Sequence, residues 1–460
     1  MKRVVLFLVC IGVLIPLGWG LFYKYEGDSP TAEVSLPSVY LKKNAKVSFT
    51  VGDGGTGLRH VAVHIQQNNT EKKILEKEYP PSSIQSFFRD KRVVQEEFEV
   101  PVDFRKYGMV DGDAAIRIVV TDYSWRGWNR GNVTEQVQKV IIDSKPPIVK
   151  VLSSRHNIMK GGTGLVIYQL FEPDVKSGVT VGENYFPGAS GMFDDPSIHA
   201  AFFALNHTQG QGTRIWVQAE DIAGNTAKKG FRYYIGNKNF KTDVIKISDG
   251  FLAAKMPGFD MAEKELAFQA GDNPNLLKFL EINRKMRGAN VDRILSVPAN
   301  TRPEIMWEGR FSRLPGAANR AGFADHRIYK YKGKQIDEAT HLGIDLASTA
   351  NAEVSAANGG RVIMAEAVGI FGNTIIIDHG FGLASLYSHL DSMNVGVGEP
   401  VAKGDLIGYT GITGLVGGDH LHFSIIVHNT FVNPLEWWDS KWIKNNITSK
   451  IDAVRKMTQK

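Results

Sequence analysis

Cysteine is almost absent. Cys10 is the single one among 460 residues, so no intramolecular disulfide can form and the fold must stand on its hydrophobic cores. A strong charge of one sign is also missing. Lysine and arginine number 54 against 48 aspartates and glutamates, a net charge of +6. That excess is too thin to argue for nucleic acid, although it suits an anionic surface. With 43% hydrophobic and 22% charged residues the chain has the mix of a folded globular protein. This composition excludes a disordered chain, a collagen and a multi-span membrane protein. Glycine is plentiful at 47 residues, which favours tight turns and hence β structure.

The first thirty residues carry one long apolar stretch. Val4 to Tyr23 holds no charge, and these 20 residues are enough to cross a bilayer core as a helix. Lys2 and Arg3 precede it, and Glu26 and Asp28 follow soon after. The positive-inside rule then places the N-terminus in the cytoplasm and the bulk of the chain outside the cytoplasmic membrane. A cleaved signal would have a shorter apolar stretch and an A-x-A-like site, and only Gly18-Trp19-Gly20 resembles one. Residues 1–24 are therefore expected to be a signal-anchor helix. Cys10, inside the stretch, is read as a small apolar residue.

From Ala32 onward, short apolar runs are separated by turn residues. The alternation in Ala115-Ile116-Arg117-Ile118-Val119-Val120 predicts a half-buried strand. A loose repeat joins Val120-Thr121-Asp122, followed by Trp128-Asn129, to Gln218-Ala219-Glu220-Asp221, followed by Ala223-Gly224-Asn225. The D-x-A-G-N turn and the Asp143 to Pro147 linker resemble bacterial immunoglobulin-like modules. Two β-sandwich modules are expected, over 30–145 and 146–240, serving as spacers or as docking sites for a regulatory protein partner. Trp125 and Trp128 are read as rim packing rather than ligand platforms. His60 and His64 are read as structural, with no carboxylate near them.

A helical connector is expected over 255–297. Asp260 and Glu263 form a capping-box pattern for a helix ending at Gly271. Asn273 and Pro274 open a second one, which Gly288 should stop.

Seven of the twelve histidines follow residue 320. His341 and Asp345 form an H-x-x-x-D pattern, His420 and His422 an H-x-H pattern, and His389 lies between them in Tyr387-Ser388-His389. On a strand, residues two apart face one side, so His420 and His422 should point together into one cleft, as should Tyr387 and His389 on their own strand. Two neutral imidazoles and one carboxylate make a three-ligand zinc site that leaves a fourth position for water. The two other histidines remain for proton transfer. His379 and Asp378 are read as turn residues, and His326 and His428 as lying at the surface or behind the site.

These patterns, together with Gly372-Asn373-Thr374, Asp378-His379-Gly380, Val401 to Gly408 and Val432-Asn433-Pro434-Leu435, resemble the M23 peptidase family of lysostaphin- or LytM-type zinc endopeptidases. The resemblance implies a mostly antiparallel β domain, taken as 300–440, followed by a C-terminal tail over 441–460. It implies zinc held by His341, Asp345 and His422, with His389 and His420 as the catalytic pair. Many members carry F-G-x-R ahead of the first ligand, where this chain has Phe323-Ala324-Asp325-His326-Arg327, so the groove is expected to differ there. Some relatives have lost their ligands and only bind or activate wall enzymes, whereas this sequence keeps all five positions. The expected fold is thus mainly β: two sandwich modules, a helical connector and a LytM-type domain. The expected function is zinc-dependent hydrolysis of peptidoglycan peptides outside the cytoplasmic membrane. The alternative is a non-catalytic wall-binding or regulatory protein that uses its zinc domain for docking.

Overall fold

The computed structural model describes residues 2–81, 92–260 and 273–459. They fall into two compact units, one of residues 1–147 with 220–226 and one of residues 148–219 with 227–460.

The first unit opens with a helix over Lys2–Lys24. Among the described residues no helix is long and apolar enough to cross a membrane, so the signal-anchor expected over 1–24 gains no support from the structure. Two sheets follow. One has three strands, with Asn44–Gly52 between Thr31–Ser35 and Gln95–Asp103. The other has five, with Gly112–Asp122 between Val133–Ile142 and Leu58–Gln67. The alternation read in the sequence is realised in Gly112–Asp122, where Ala114, Ile116, Ile118 and Val120 are buried and the residues between them are not. Period-two burial lets one face of the strand enter the core while Arg117, on the other, pairs with Glu71 and Glu135.

Three readings change here. His60 and His64 each meet a carboxylate from the neighbouring strand, Glu76 and Glu71, both at 3.2 Å. The strand pairing supplies these partners, which linear distance had hidden. The repeat also has a different anchor. Asp122 accepts hydrogen bonds from Asn132 N at 2.7 Å and Asn132 Nδ2 at 2.8 Å, just as Asp221 does from Asn225 N and Nδ2 at 2.8 and 2.9 Å. Asn132, and not Asn129, is the counterpart of Asn225. Trp125 packs edge-on against Tyr25, as read, whereas Trp128 is 99% exposed at the tip of a turn with φ of 59° and is not the packing residue expected.

In the second unit a three-stranded sheet (Ile198–Ala204, Thr163–Leu170, Val149–Val151) and a four-stranded sheet lead into one continuous core that runs to Val454. Phe202 lies 6.0 Å from Trp437, ring to ring, and Thr163 N donates to Glu436 Oε2 at 2.8 Å. Residues 441–460 are helical as far as Thr458. Ile443, Ile447, Ile451 and Val454 are buried along one stripe of that stretch.

The connector begins with Asp249–Lys255, capped by Ser248 Oγ. Asn273 caps Pro274–Glu281 through its side-chain oxygen, as its sequence position predicts. Gly288 does not stop the helix, which passes through a π-turn at Ile282–Met286 and runs on over Arg287–Ser296. Burial of Phe279, Ile282 and Ile294 against the core outweighs the helix-breaking tendency of one glycine, which is about 1 kcal/mol. The helix expected between Asp260 and Gly271 lies outside the described residues.

The site stands on a ten-stranded antiparallel sheet. Its main path runs Ala318–Ala321, Ile344–Ala347, Leu421–Val427, Leu383–Met393, Gly372–Gly380, Gly360–Val368 and Pro400–Val401. The strand His326–Tyr331 pairs in parallel with Thr242–Ile247 and antiparallel with Lys334–Thr340.

Candidate metal centre

Asp345 and His422 sit directly opposite each other on adjacent antiparallel strands. His341 precedes the first of these strands. The result is a triangle: His341 Nε2, Asp345 Oδ1 and His422 Nδ1 stand 2.9 Å from one another in each pairing. Gly343, inside the H-L-G-I-D run, makes this approach possible, because a Cβ there would lie 2.6 Å from the His422 ring and 2.5 Å from Ser424 Oγ.

The protons can be assigned from the surrounding bonds. His341 Nδ1 donates to Gly322 O at 2.8 Å, so in the neutral ring Nε2 is bare. Ser424 Oγ donates to Leu342 O at 2.9 Å and therefore accepts from His422 Nε2 at 3.1 Å, which leaves His422 Nδ1 bare. Two lone pairs and a carboxylate oxygen thus converge with no proton of their own between them. Mutual repulsion in a buried site is relieved by a cation, and two imidazoles with one carboxylate are a donor set that suits zinc. The residues present fit the metal.

The second carboxylate oxygen of Asp345 is held by Arg327 Nη2 at 2.7 Å. Burial pushes the Asp345 carboxyl up, whereas the imidazoles of His341, His420 and His422, when protonated, hold it well below the usual range. Burial pushes His422 down to about 4 and His389 well below the ordinary imidazole value. His420 goes the other way: burial opposes its charged form, but Asp345, 3.6 Å from its Nε2, raises it.

His389 and His420 flank the triangle, with ring centroids 5.0 Å apart and His389 5.7 Å from His422. His389 Nδ1 donates to Thr413 O at 3.0 Å, and His420 Nδ1 to Gly418 O at 2.8 Å. Both rings therefore keep Nε2 available for a proton. Tyr387 does not share the His389 side, contrary to the strand-period expectation. Its ring packs on Phe423 and its hydroxyl accepts from Ala357 N at 2.7 Å. His389 has φ of 65°, in a stretch where the register shifts, and this left-handed residue turns the side chain away from the Tyr387 face.

The other histidines separate clearly. His379 bonds Gly359 O at 2.6 Å and Ser385 Oγ at 2.8 Å, and it is buried against Phe311. Asp378 accepts from Thr301 Oγ1 and from the backbone of Arg302 and Gly380. His326 meets Glu338 at 3.5 Å. His428 is neither at the surface nor behind the site: it is buried, packs edge-on to Phe186, and its Nε2 has no hydrogen-bond partner among the described residues. The strand pairing of Leu421–Val427 with Leu383–Met393 carries it inward, which its sequence neighbourhood did not reveal.

Arg327, Phe371 and Asn290 complete the site and were not foreseen in these roles. Phe371 packs edge-on to His422 at 5.7 Å, and Asn290 Oδ1 accepts from Ile370 N at 2.9 Å, fixing that turn. The only hint of Arg327 was its place in the run before His341. Ala324, where many M23 members have glycine, adopts φ of 61°, the backbone form that glycine would take freely. In the first unit Glu26, Asp53 and Asp122 also cluster. Backbone N–H groups of Thr56, Gly57 and Ser124 already bond these carboxylates.

Residues 339–434 match the model of Peptidase family M23. This stretch near the C-terminal end is what ties the chain to that family. Members of this family are zinc metallopeptidases, and the His341, Asp345 and His422 cluster lies inside the matched M23 stretch. The chain is similar to the peptidoglycan DD-endopeptidase ShyB of Vibrio cholerae, 32% identical over 116 residues, which cover 25% of this chain and 26% of that one. It is also similar to the murein hydrolase activator EnvC of Escherichia coli, 32% identical over 110 residues, covering 24% of this chain and 26% of that one. The chain thus spans about a quarter of the length of these curated relatives. A solved structure of a putative peptidase M23 from Pseudomonas aeruginosa aligns with a TM-score of 0.40 at 16% identity, over 61% of this chain and 95% of that one.

Proposed function

We propose that the chain is a zinc-dependent endopeptidase that hydrolyses peptide bonds of peptidoglycan outside the cytoplasmic membrane. The observation that carries the reading is the convergence of His341 Nε2, Asp345 Oδ1 and His422 Nδ1, with two histidines beside it whose Nδ1 atoms are fixed by backbone carbonyls and whose Nε2 atoms are left for proton exchange. Zinc bound there supplies carbonyl polarisation and a water of pKa near 7. The Nε2 of His389 or of His420 accepts the proton of the attacking water, and the other ring gives a proton to the departing amine. Arg327 holds Asp345 in one orientation by pairing with its outer oxygen. On the sequence alone, the length of the apolar stretch Val4 to Tyr23 and the charges of Lys2 and Arg3 before it support an anchor in the cytoplasmic membrane. The β modules, read as immunoglobulin-like, space the peptidase domain from the membrane or receive a regulatory partner.

The name of the relative EnvC supports a second reading, in which the domain activates another hydrolase. The presence of His389 and His420 beside the three-atom cluster favours the enzyme. The test uses the full chain in detergent, loaded with zinc and incubated with purified peptidoglycan, with products read by mass spectrometry. New peptide termini that disappear in His389→Ala and in chelator support the enzyme. Unchanged peptidoglycan rejects it in favour of a docking role.

A further inference from the structure

The metal centre opens into a cavity of about 360 Å³ whose outer wall belongs to the connector and to the strand Thr242–Ile247. Ile247, Phe251, Phe279, Val291 and Phe371 make much of it apolar. Its charged lining is unbalanced. Among the described lining residues Asp345 is the only carboxylate, and it already faces Arg327 and the imidazoles. Lys246 and Arg287 add two further positive charges. Neither forms an ion pair among the described residues.

Arg287 is the better placed of the two. Asn283, one turn earlier on the helix, accepts from its Nε at 3.2 Å and its Nη2 at 2.7 Å, so a neutral amide fixes the plane of the guanidinium. Asn283 is itself oriented by donating to Asp337 Oδ2 at 2.9 Å. Asp337, whose charge acts on Arg287, is engaged by that bond and by Arg284 at 3.2 Å. The π-turn at Ile282–Met286 carries Asn283 and so sets the register in which Arg287 meets the cleft. Burial, and the like charge of Arg327, press the guanidinium towards losing its proton, while Tyr329 and Asp337 act the other way. An arginine, with its very high intrinsic pKa, keeps the charge all the same. A preset, planar guanidinium with no ion pair of its own among the described residues, beside a candidate hydrolytic centre, is suited to a carboxylate.

We propose that Arg287 is a specificity-determining residue: it receives a free carboxylate on a substrate residue flanking the bond presented to the His341, Asp345 and His422 site. The proposal rests on the peptidase reading above. Arg287 lies outside the 339–434 stretch matched by the family model, so this selectivity belongs to the connector of this chain. Lys246, exposed at the mouth, adds long-range attraction for the same anionic peptide.

The experiment compares two cross-linked peptides that differ only in one group, a free carboxylate or its amide, next to the scissile bond. The zinc-loaded full chain is expected to prefer the carboxylate by about 10- to 100-fold in kcat/KM, the range for a charge-assisted pair in a cleft. Arg287→Gln should bring the ratio of the two kcat/KM values close to one, mainly through KM. Arg287→Lys should keep part of it, since charge remains while planarity is lost. A melting curve for each variant reports folding, and Arg287→Lys carries the test if the Gln variant does not fold. Cleavage of both peptides at equal rates by the unaltered chain overturns the assignment while leaving the peptidase reading intact. So does a preference that survives in Arg287→Gln. Cleavage of neither peptide by the unaltered chain overturns both.

Discussion

Replacing His422 by alanine tests the metal centre most directly. The side chain is buried between His341, Asp345 and Phe371, and its Nδ1 is one of three donor atoms within 2.9 Å of each other. Zinc that binds only the folded state stabilises it by about 4 kcal/mol when free metal stands a thousandfold above Kd. At about 2–4 °C per kcal/mol for a domain of 150–250 residues, and less for a larger one, zinc should raise the melting temperature by roughly 5–15 °C over the chelated protein. With one donor gone, His341 and Asp345 alone cannot hold zinc tightly, and the metal-dependent rise should fall to near zero. The truncation also leaves a cavity that costs stability whether or not metal is present. The quantity to compare is therefore the difference between zinc-loaded and chelated melts, measured by scanning fluorimetry beside elemental analysis of the desalted protein. Stoichiometric zinc in His422→Ala, with an undiminished thermal rise, would show that the triangle of donor atoms is not the metal site.

Four further outcomes are expected. His389→Ala and His420→Ala should keep zinc yet lose about 10²–10⁴-fold in turnover on peptidoglycan peptides, as removal of a positioned proton-transfer group does; loss of metal by elemental analysis from either would make that histidine a ligand. Arg327→Ala should weaken zinc about 10- to 100-fold in a chelator competition, because Asp345 loses the partner at 2.7 Å that orients it; an unchanged affinity would count against that role. Glu436 is buried and its carboxyl is pushed up to about 8, so the folded state holds a proton that the unfolded state releases. Its contribution is full below about pH 4.5 and is lost as pH rises through about 8, so Glu436→Gln should flatten the fall in stability between pH 5 and 9 followed by denaturant titration; an identical pH slope in both proteins would refute this. The proposed anchor predicts that N-terminal sequencing of membrane fractions finds the intact start, whereas a soluble chain beginning near Leu21 would sink it.

Local sequence carried the parts of this protein that depend on short-range pattern. Gly112–Asp122 alternates because its period of two decides which side chains enter the core. Asn273 caps its helix because a side-chain oxygen at that position reaches the first free N–H groups. The histidine and aspartate patterns marked His341, Asp345, His389, His420 and His422 as candidates, and the structure brings all five side chains together. What pairs across long sequence separation was not legible. The H-x-H spacing says nothing of Asp345 facing His422 across two strands 77 residues apart, nor of Arg327 reaching the same carboxylate. Strand periodicity placed His389 beside Tyr387, and only a left-handed residue in a shifted register turned it to the metal side. Gly288 reads as a stop, yet burial of Ile294 beyond it keeps the helix going and presents Arg287 to the cleft. Local chemistry thus marked the candidate groups, while register, burial and long-range packing decided which of them meet and what lines the groove around them.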